Sequence, residues 1–140
     1  MNGQPTLLCV DDDPSSLRLY QVLLACHGYD VIAAENGWQA LQLLLGKRSE
    51  IAAVILDYEM PAMRGDHLAA EIRRWYPELP IIMISGNLEI AEHVPLCVDA
   101  VVEKGTSWDK TFDQLDRLVT VARSKPAQSS LPSASQVASA

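Results

Sequence analysis

Apolar residues along the chain alternate between short unbroken runs and longer stretches at helical spacing. The first run, TLLCV at 6–10, ends in three aspartates and predicts a buried strand. Pro14 stands where a helix can begin, because its fixed φ suits the first turn and its missing N–H is not needed there. Leu17, Tyr20, Leu24 and His27 follow at helical spacing, and Gly28 is placed to end that helix. Residues 31–34 predict a second strand. Asn36 is a candidate N-cap for a helix carrying Ala40, Leu41, Leu44 and Leu45. IAAVIL at 51–56 predicts a third strand that finishes at Asp57. Residues 65–76 predict a third helix, stopped by Pro77. PIIMI at 80–84 predicts a fourth strand finishing at Ser85, and 87–94 a short fourth helix before Pro95. Residues 100–103 predict a fifth strand finishing at Lys104. Trp108, Phe112, Leu115, Val119 and Ala122, spaced by fours and threes, mark a last helix.

These are five strand–helix repeats. Strands that are apolar throughout, rather than alternating, need helices over both faces, so the pattern predicts an α/β fold with an open parallel sheet. Residues 1–124 form one predicted domain, and 140 residues suit one domain. From Pro126 onward the text PAQSSLPSASQVASA carries no charged side chain and too little apolar surface to order itself, so 125–140 is expected to be a disordered tail or linker stub.

Composition narrows the function classes. The net charge of −7 argues against direct contact with nucleic acid, which needs clustered Lys and Arg. No apolar run approaches the ~20 residues of a membrane span, and MNGQPTLLCVDDD lacks the pattern of a signal peptide. The expected location is the cytoplasm. Cys9, Cys26 and Cys97 are odd in number and form no CxxC pair, so they are expected to be buried free thiols in a reducing compartment.

The chemistry concentrates at the strand ends. Asp11, Asp12, Asp57, Ser85 and Lys104 each follow the carboxyl end of a predicted strand, and in an open α/β sheet those ends share the ligand-binding edge. Three clustered carboxylates repel one another unless a cation neutralises them. Mg²⁺ favours a few carboxylates together with phosphate oxygens and water. Lys104 would meet a phosphate with a point charge and Ser85 with a hydroxyl, and one carboxylate would be the nucleophile of an aspartyl-phosphate reaction. Taken singly, Asp11–Asp13 also fit an acidic helix N-terminus, Lys104 an ordinary surface lysine and Ser85 an ordinary loop serine; the set is specific because of its joint placement.

The segments LLCVDDD, VILDYEMPAMRGDHLAAEIR, IIMISGN and VVEKG, with ENGWQAL opening the second helix, resemble the receiver domain of two-component response regulators over about residues 6–123. The resemblance implies a flavodoxin-like (βα)5 fold with strand order 2-1-3-4-5. It implies Asp57 as phosphoacceptor, Asp12 as a direct Mg²⁺ ligand, Asp11 as a ligand mainly through water, and Glu59 as a ligand through its backbone carbonyl. It also implies phosphoryl contacts from Lys104 and Ser85. The phosphoryl donor would be a histidine kinase or histidine phosphotransfer protein. A downstream protein would read the surface made by 87–94, 100–103 and 108–123, with Trp108 near its edge, and activation could form a homodimer. The chain would be a signalling switch rather than an enzyme, with no nucleic-acid or membrane partner.

Two positions depart from the family. The lysine is usually followed by proline, often through a cis bond, but Gly105 follows Lys104; a non-proline cis bond costs about 2.5–4 kcal/mol, so a trans bond or a remodelled loop is expected. Val101 stands where the family often has an aromatic residue, which questions the usual coupled side-chain swing. Glu59 puts a further charge beside the acceptor. Other readings stay open: a piece of a longer regulator cut in a linker, a haloacid-dehalogenase-type phosphatase with Asp11-x-Asp13 as nucleophile motif, and a phosphorylation-independent binding module. His27, His67 and His93 receive no role, and Arg73, Arg74 and Trp75 read as surface charge beside a core or rim aromatic.

Overall fold

A computed structural model describes residues 3–86, 97–105 and 107–124. The elements are β1 (Thr6–Val10), α1 (Pro14–Cys26), β2 (Asp30–Ala34), α2 (Gly37–Lys47), a 3₁₀ turn (Arg48–Glu50), β3 (Ile51–Asp57), α3 (Gly65–Trp75), β4 (Ile81–Ser85), β5 (Ala100–Glu103) and a last helix (Trp108–Ser124). The fourth helix expected at 87–94 and the tail expected at 125–140 lie outside the described residues. The strands form one parallel sheet in the order β2-β1-β3-β4-β5. Strand order reverses between β1 and β3, and the crevice at such a point is where this architecture receives ligands. Register keeps the carboxyl ends level: Val10 pairs with Leu56, Asp57 with Ile84, and Ser85 with Glu103.

The unbroken apolar runs follow from two covered faces. Leu8, Val10, Val54, Leu56, Ile81 and Met83 face α2 and α3, where Leu44, Leu68 and Ile72 meet them. Leu7, Cys9, Ala53, Ile55, Ile82 and Ile84 face the other way, toward Leu17 and Leu24 of α1 and Leu115 and Val119 of the last helix. Each buried Leu, Ile, Val or Met among them contributes about 1.5–3 kcal/mol by leaving water.

Local signals set the helix ends. Asp13 caps α1 by accepting from the Ser15 N–H at 3.1 Å and the Ser16 hydroxyl at 3.0 Å. After His27 the chain leaves the helix through Gly28 at φ +97°, a conformation glycine adopts without Cβ strain. Asn36 caps α2 by accepting from the Gln39 N–H at 2.8 Å.

Some expectations need correction. Leu45 is 80% exposed, because the apolar arc of α2 is wider than the stripe that reaches the sheet, and only Ala40 and Leu44 are buried with Gly37. Of the two readings of Trp75, core or rim, its exposure leaves the rim. The three cysteines are free, but only Cys9 is buried: Cys26 is exposed at the end of α1 and Cys97 is half-buried. Strand and helix limits shift by one residue at β2, β3, β4 and α3, where Tyr76 caps the helix by donating its N–H to Ile72 O at 2.7 Å.

Two long-range ties were not expected. Arg73 is a hub: Nη1 donates to Pro77 O (2.8 Å) and Leu79 O (2.9 Å), Nε to Cys97 O (3.1 Å), and Nη2 to Asp99 Oδ2 (2.7 Å). Asp99 Oδ2 also accepts the Ile81 N–H at 2.8 Å, so the guanidinium joins the end of α3 to the segments entering β4 and β5. On the other face of the sheet, Asp116 accepts from the Tyr29 hydroxyl at 2.6 Å and lies 3.0 Å from His27 Nε2, while the His27 ring stacks on Phe112 at 4.0 Å. Burial pushes the Asp116 carboxyl upward, but its bonds from Tyr29 and His27 outweigh that and hold it below the usual range.

Arg73→Ala strands several carbonyls and should lower the unfolding free energy by about 1–3 kcal/mol, read as a reduced urea midpoint at unchanged slope. A depressed folded value means that the Asp116 contribution is present above the ordinary carboxyl value and is lost as pH falls through the folded one. Asp116→Asn should therefore be less stable than the parent at neutral pH in urea unfolding. That gap should close as pH falls below about 3.9.

Candidate functional site

The sheet delivers its polar groups to one edge. β1 is buried from Leu7 to Val10, and the next residue, Asp11, is only 2% exposed. Asp57 closes β3 and is 3% exposed. Asp12 lies at the rim, exposed to solvent. One carboxylate oxygen from each of Asp11, Asp12 and Asp57 lies within 4.8 Å of the others. From β5, Lys104 reaches across β4 and places Nζ 2.9 Å from Asp57 Oδ1. Ser85, fully buried at the end of β4, completes the set, and its carbonyl accepts the Lys104 N–H at 2.8 Å. Residues up to 93 positions apart in sequence thus meet in one crevice, as the strand-end reading required.

Each carboxylate is oriented by donors. Asp11 Oδ1 accepts the Asp13 N–H at 2.9 Å, and Oδ2 accepts the Tyr20 hydroxyl at 3.1 Å. Asp57 Oδ1 accepts the Glu59 N–H at 3.2 Å as well as the lysine. The loop after Asp57 is pinned beneath α3: the Gly65 N–H donates to Tyr58 O at 3.0 Å. A Cβ on Gly65 would sit 2.5 Å from Asp57 O and 2.7 Å from Tyr58 Cα, so no larger residue lets α3 start this close to the acidic strand end.

Electrostatics follow from burial and crowding. Burial pushes the Asp11 carboxyl up, and the neighbouring Asp12 adds to that; the Asp13 N–H, Tyr20 and Lys104 offset part of it. Burial also raises Asp57, with Asp11 adding and Lys104 opposing. Partial burial alone would lower Lys104, but Asp57, Glu59 and Asp11 outweigh it and hold the ammonium charged above its ordinary value. Two buried carboxylates that favour protons, beside an exposed third, form a hard oxygen donor set with a deficit of positive charge. Such a set fits Mg²⁺.

Glu59 stands apart from this trio. Its side chain turns to β4, where Oε2 accepts the Ser85 hydroxyl at 2.8 Å and Oε1 accepts the Gly86 N–H at 3.3 Å; Lys104 Nζ is 3.6 Å from Oε1. Nothing in the residue pattern marks this side-chain direction, since a loop residue has no periodicity to fix it. Tyr20 was also missed as a site residue: its helical spacing read as core, which is true of its ring, while its hydroxyl reaches Asp11. Its ring meets Trp108 edge-on with centroids 5.5 Å apart, and Trp108 is half-buried against Phe112. No cis peptide occurs among the described residues, so Lys104–Gly105 is trans, and Gly105 takes φ +87°. Proline, locked near −65°, cannot adopt that value. Val101 is half-buried against the core on the α2 and α3 side.

The comparisons with known proteins agree with this geometry. The chain is 39% identical over 120 residues to the transcriptional regulatory protein GlrR of Escherichia coli K12, matching 83% of this chain and 27% of that one. It is 36% identical over 88 residues to the sensor histidine kinase GacS of Pseudomonas protegens, matching 59% of this chain and 9% of the kinase. The chain therefore spans well under two thirds of these curated relatives. Among solved structures, the Thermotoga maritima response regulator TrrA in complex with Mg²⁺ and BeF superposes with a TM-score of 0.75 at 30% identity, over 81% of this chain and 97% of that one. The family model described as the response regulator receiver domain matches residues 7–107. The chain belongs to the response regulator receiver domain family, whose work is phosphoryl acceptance on an aspartate in a two-component system.

Proposed function

We propose that Asp57 is the acceptor, that Asp11, Asp12 and Asp57 hold Mg²⁺, and that Lys104 and Ser85 receive the phosphoryl oxygens. The observation that carries this reading is Asp57 itself: a buried carboxylate at a strand end, 2.9 Å from an ammonium and among two further carboxylates. Mg²⁺, when bound, supplies the positive charge that lets three carboxylates and a phosphoryl group share one crevice. The backbone carbonyl of Glu59 is the further ligand that the family resemblance assigns.

The protein's own groups do the rest. The Glu59 N–H and Lys104 hold Asp57 Oδ1, which fixes the carboxylate plane for attack. The donor is a phosphohistidine of a histidine kinase or phosphotransfer protein. An Asp57 oxygen forms the new P–O bond, the P–N bond breaks, and the imidazole leaves with a proton. Lys104 neutralises the charge that the phosphoryl oxygens bring, and Ser85 donates its hydroxyl to one of them. Attack of water on phosphorus later returns the free carboxylate and inorganic phosphate. The chain is a switch that assists its own modification and not a turnover enzyme, and it acts in the cytoplasm. Its output is read by a protein at the surface that includes β5 and the last helix. With Val101 at the position often aromatic in the family, that output does not run through a ring on β5.

Incubation with acetyl phosphate and Mg²⁺ should add the mass of one phosphoryl group to the intact protein. Asp57→Asn and EDTA should each abolish the addition. An unmodified parent that still binds Mg²⁺ would favour a phosphorylation-independent binding module.

Metal binding is testable without phosphorylation. Mg²⁺ at about ten times its Kd should raise the unfolding free energy by about 1.4 kcal/mol. Because Asp11 and Asp57 have raised values, their share of metal-free stability is present at low pH and is lost as pH rises through those values. Protons also compete with the metal. The Mg²⁺ increment in urea unfolding should therefore be larger at pH 7 than at pH 5. Asp57→Asn should be more stable than the parent without metal at pH 7 and gain less from it.

A further inference from the structure

Glu59 gathers three donors of different kinds. The Ser85 hydroxyl (2.8 Å), the Gly86 N–H (3.3 Å) and the Lys104 ammonium (3.6 Å) converge on its two carboxylate oxygens. A buried hydroxyl, a backbone amide and a cation together make a receptor for an oxyanion. The same Lys104 nitrogen lies 2.9 Å from Asp57 Oδ1, so this receptor adjoins the acceptor oxygen directly. The side chain filling it comes from the same loop, two residues beyond the acceptor, and is 42% exposed, which leaves it a path outward to water.

We propose that Glu59 is a tethered occupant of the phosphoryl pocket: its carboxylate holds Ser85, Gly86 and Lys104 in the unphosphorylated chain and is expelled to solvent when a phosphoryl group on Asp57 claims those donors. The proposal rests on Asp57 being the acceptor. A phosphoryl group carries close to two negative charges at neutral pH, and its oxygens and a carboxylate cannot accept the same hydrogen bonds at once. Occupancy by Glu59 reduces the apparent affinity of the pocket for any anion by the fraction of molecules in which the pocket is filled. It also gives Ser85 a defined partner before phosphorylation, so the exchange of Glu59 for phosphoryl oxygen is a change at the surface loop as well as at the acceptor. Glu59 thereby sets the threshold for modification from within the chain.

The test uses beryllium fluoride as the phosphoryl mimic, at saturating Mg²⁺, on the full chain by titration calorimetry. Glu59→Ala empties the pocket; Glu59→Gln keeps the size and an acceptor for Ser85 but removes the charge. Affinity for the anion should rise about tenfold in Glu59→Ala, the scale of one close like-charge contact at a protein surface. Glu59→Gln should fall between it and the parent. Affinity for Mg²⁺ alone, measured in parallel, should stay equal or weaken slightly, since a nearby negative charge is lost; an anion gain therefore cannot come from the metal. Equal or weaker anion binding in Glu59→Ala, with Mg²⁺ binding intact, overturns the occupant role. Failure of all three proteins to bind the anion while binding Mg²⁺ overturns the acceptor reading on which the proposal rests.

Discussion

The repulsion between Asp11 and Asp57 organises this end of the molecule. Both carboxylates are nearly sealed from water, both are pushed toward protonation by that burial, and the Asp11 charge raises Asp57 further. A hydrophobic core alone has no use for such a pair, because an unpaired buried charge is costly. The surrounding structure answers the cost piece by piece. Lys104 leans in from β5, the Tyr20 hydroxyl reaches over from α1, and backbone amides of Asp13 and Glu59 turn inward. What they leave uncompensated is a deficit of positive charge among three carboxylates.

The sheet makes that arrangement repeatable without long loops. Level parallel strands bring a carboxylate from β1, one from β3, a hydroxyl from β4 and an ammonium from β5 to the same height. Side chains on both faces are locked under helices, so the strand ends have little freedom to retreat from one another. Gly65 tightens the frame further, since α3 begins against the carbonyl of Asp57 itself. Rigidity behind the site and an exposed Asp12 and Glu59 at its rim are complementary: the frame positions the groups, and the rim stays open to solvent.

The fold was legible because its signals are local. Apolar runs that stop at Asp11, Asp57, Ser85 and Lys104 mark both the strands and the chemistry, and the caps at Asp13 and Asn36 act within three residues of themselves. The features that escaped sequence reasoning act at a distance or through direction. Arg73 bonds to carbonyls, and a carbonyl carries no residue identity to recognise; its acidic partner lies 26 positions away. His27 and Asp116 are 89 positions apart, and their pairing depends on how α1 and the last helix lie against the sheet. Tyr20 fitted a core stripe so well that its polar tip went unnoticed. Glu59 sits in a loop, where side-chain direction is decided by neighbours from β4 and β5 and not by any repeat.

Gly105 carries a lesson for engineering. Receiver domains usually place proline after the lysine, so an alignment-guided effort to make this protein sturdier would restore proline there, expecting a stiffer chain to lose less entropy on folding. Here the backbone at that position turns to φ +87°, on the side of conformational space closed to a pyrrolidine ring. The substitution would swing the peptide that follows Lys104 and drag the ammonium off Asp57. Averaging over relatives is thus a poor guide at this position, where the chain has settled on a different local geometry to present the same charge.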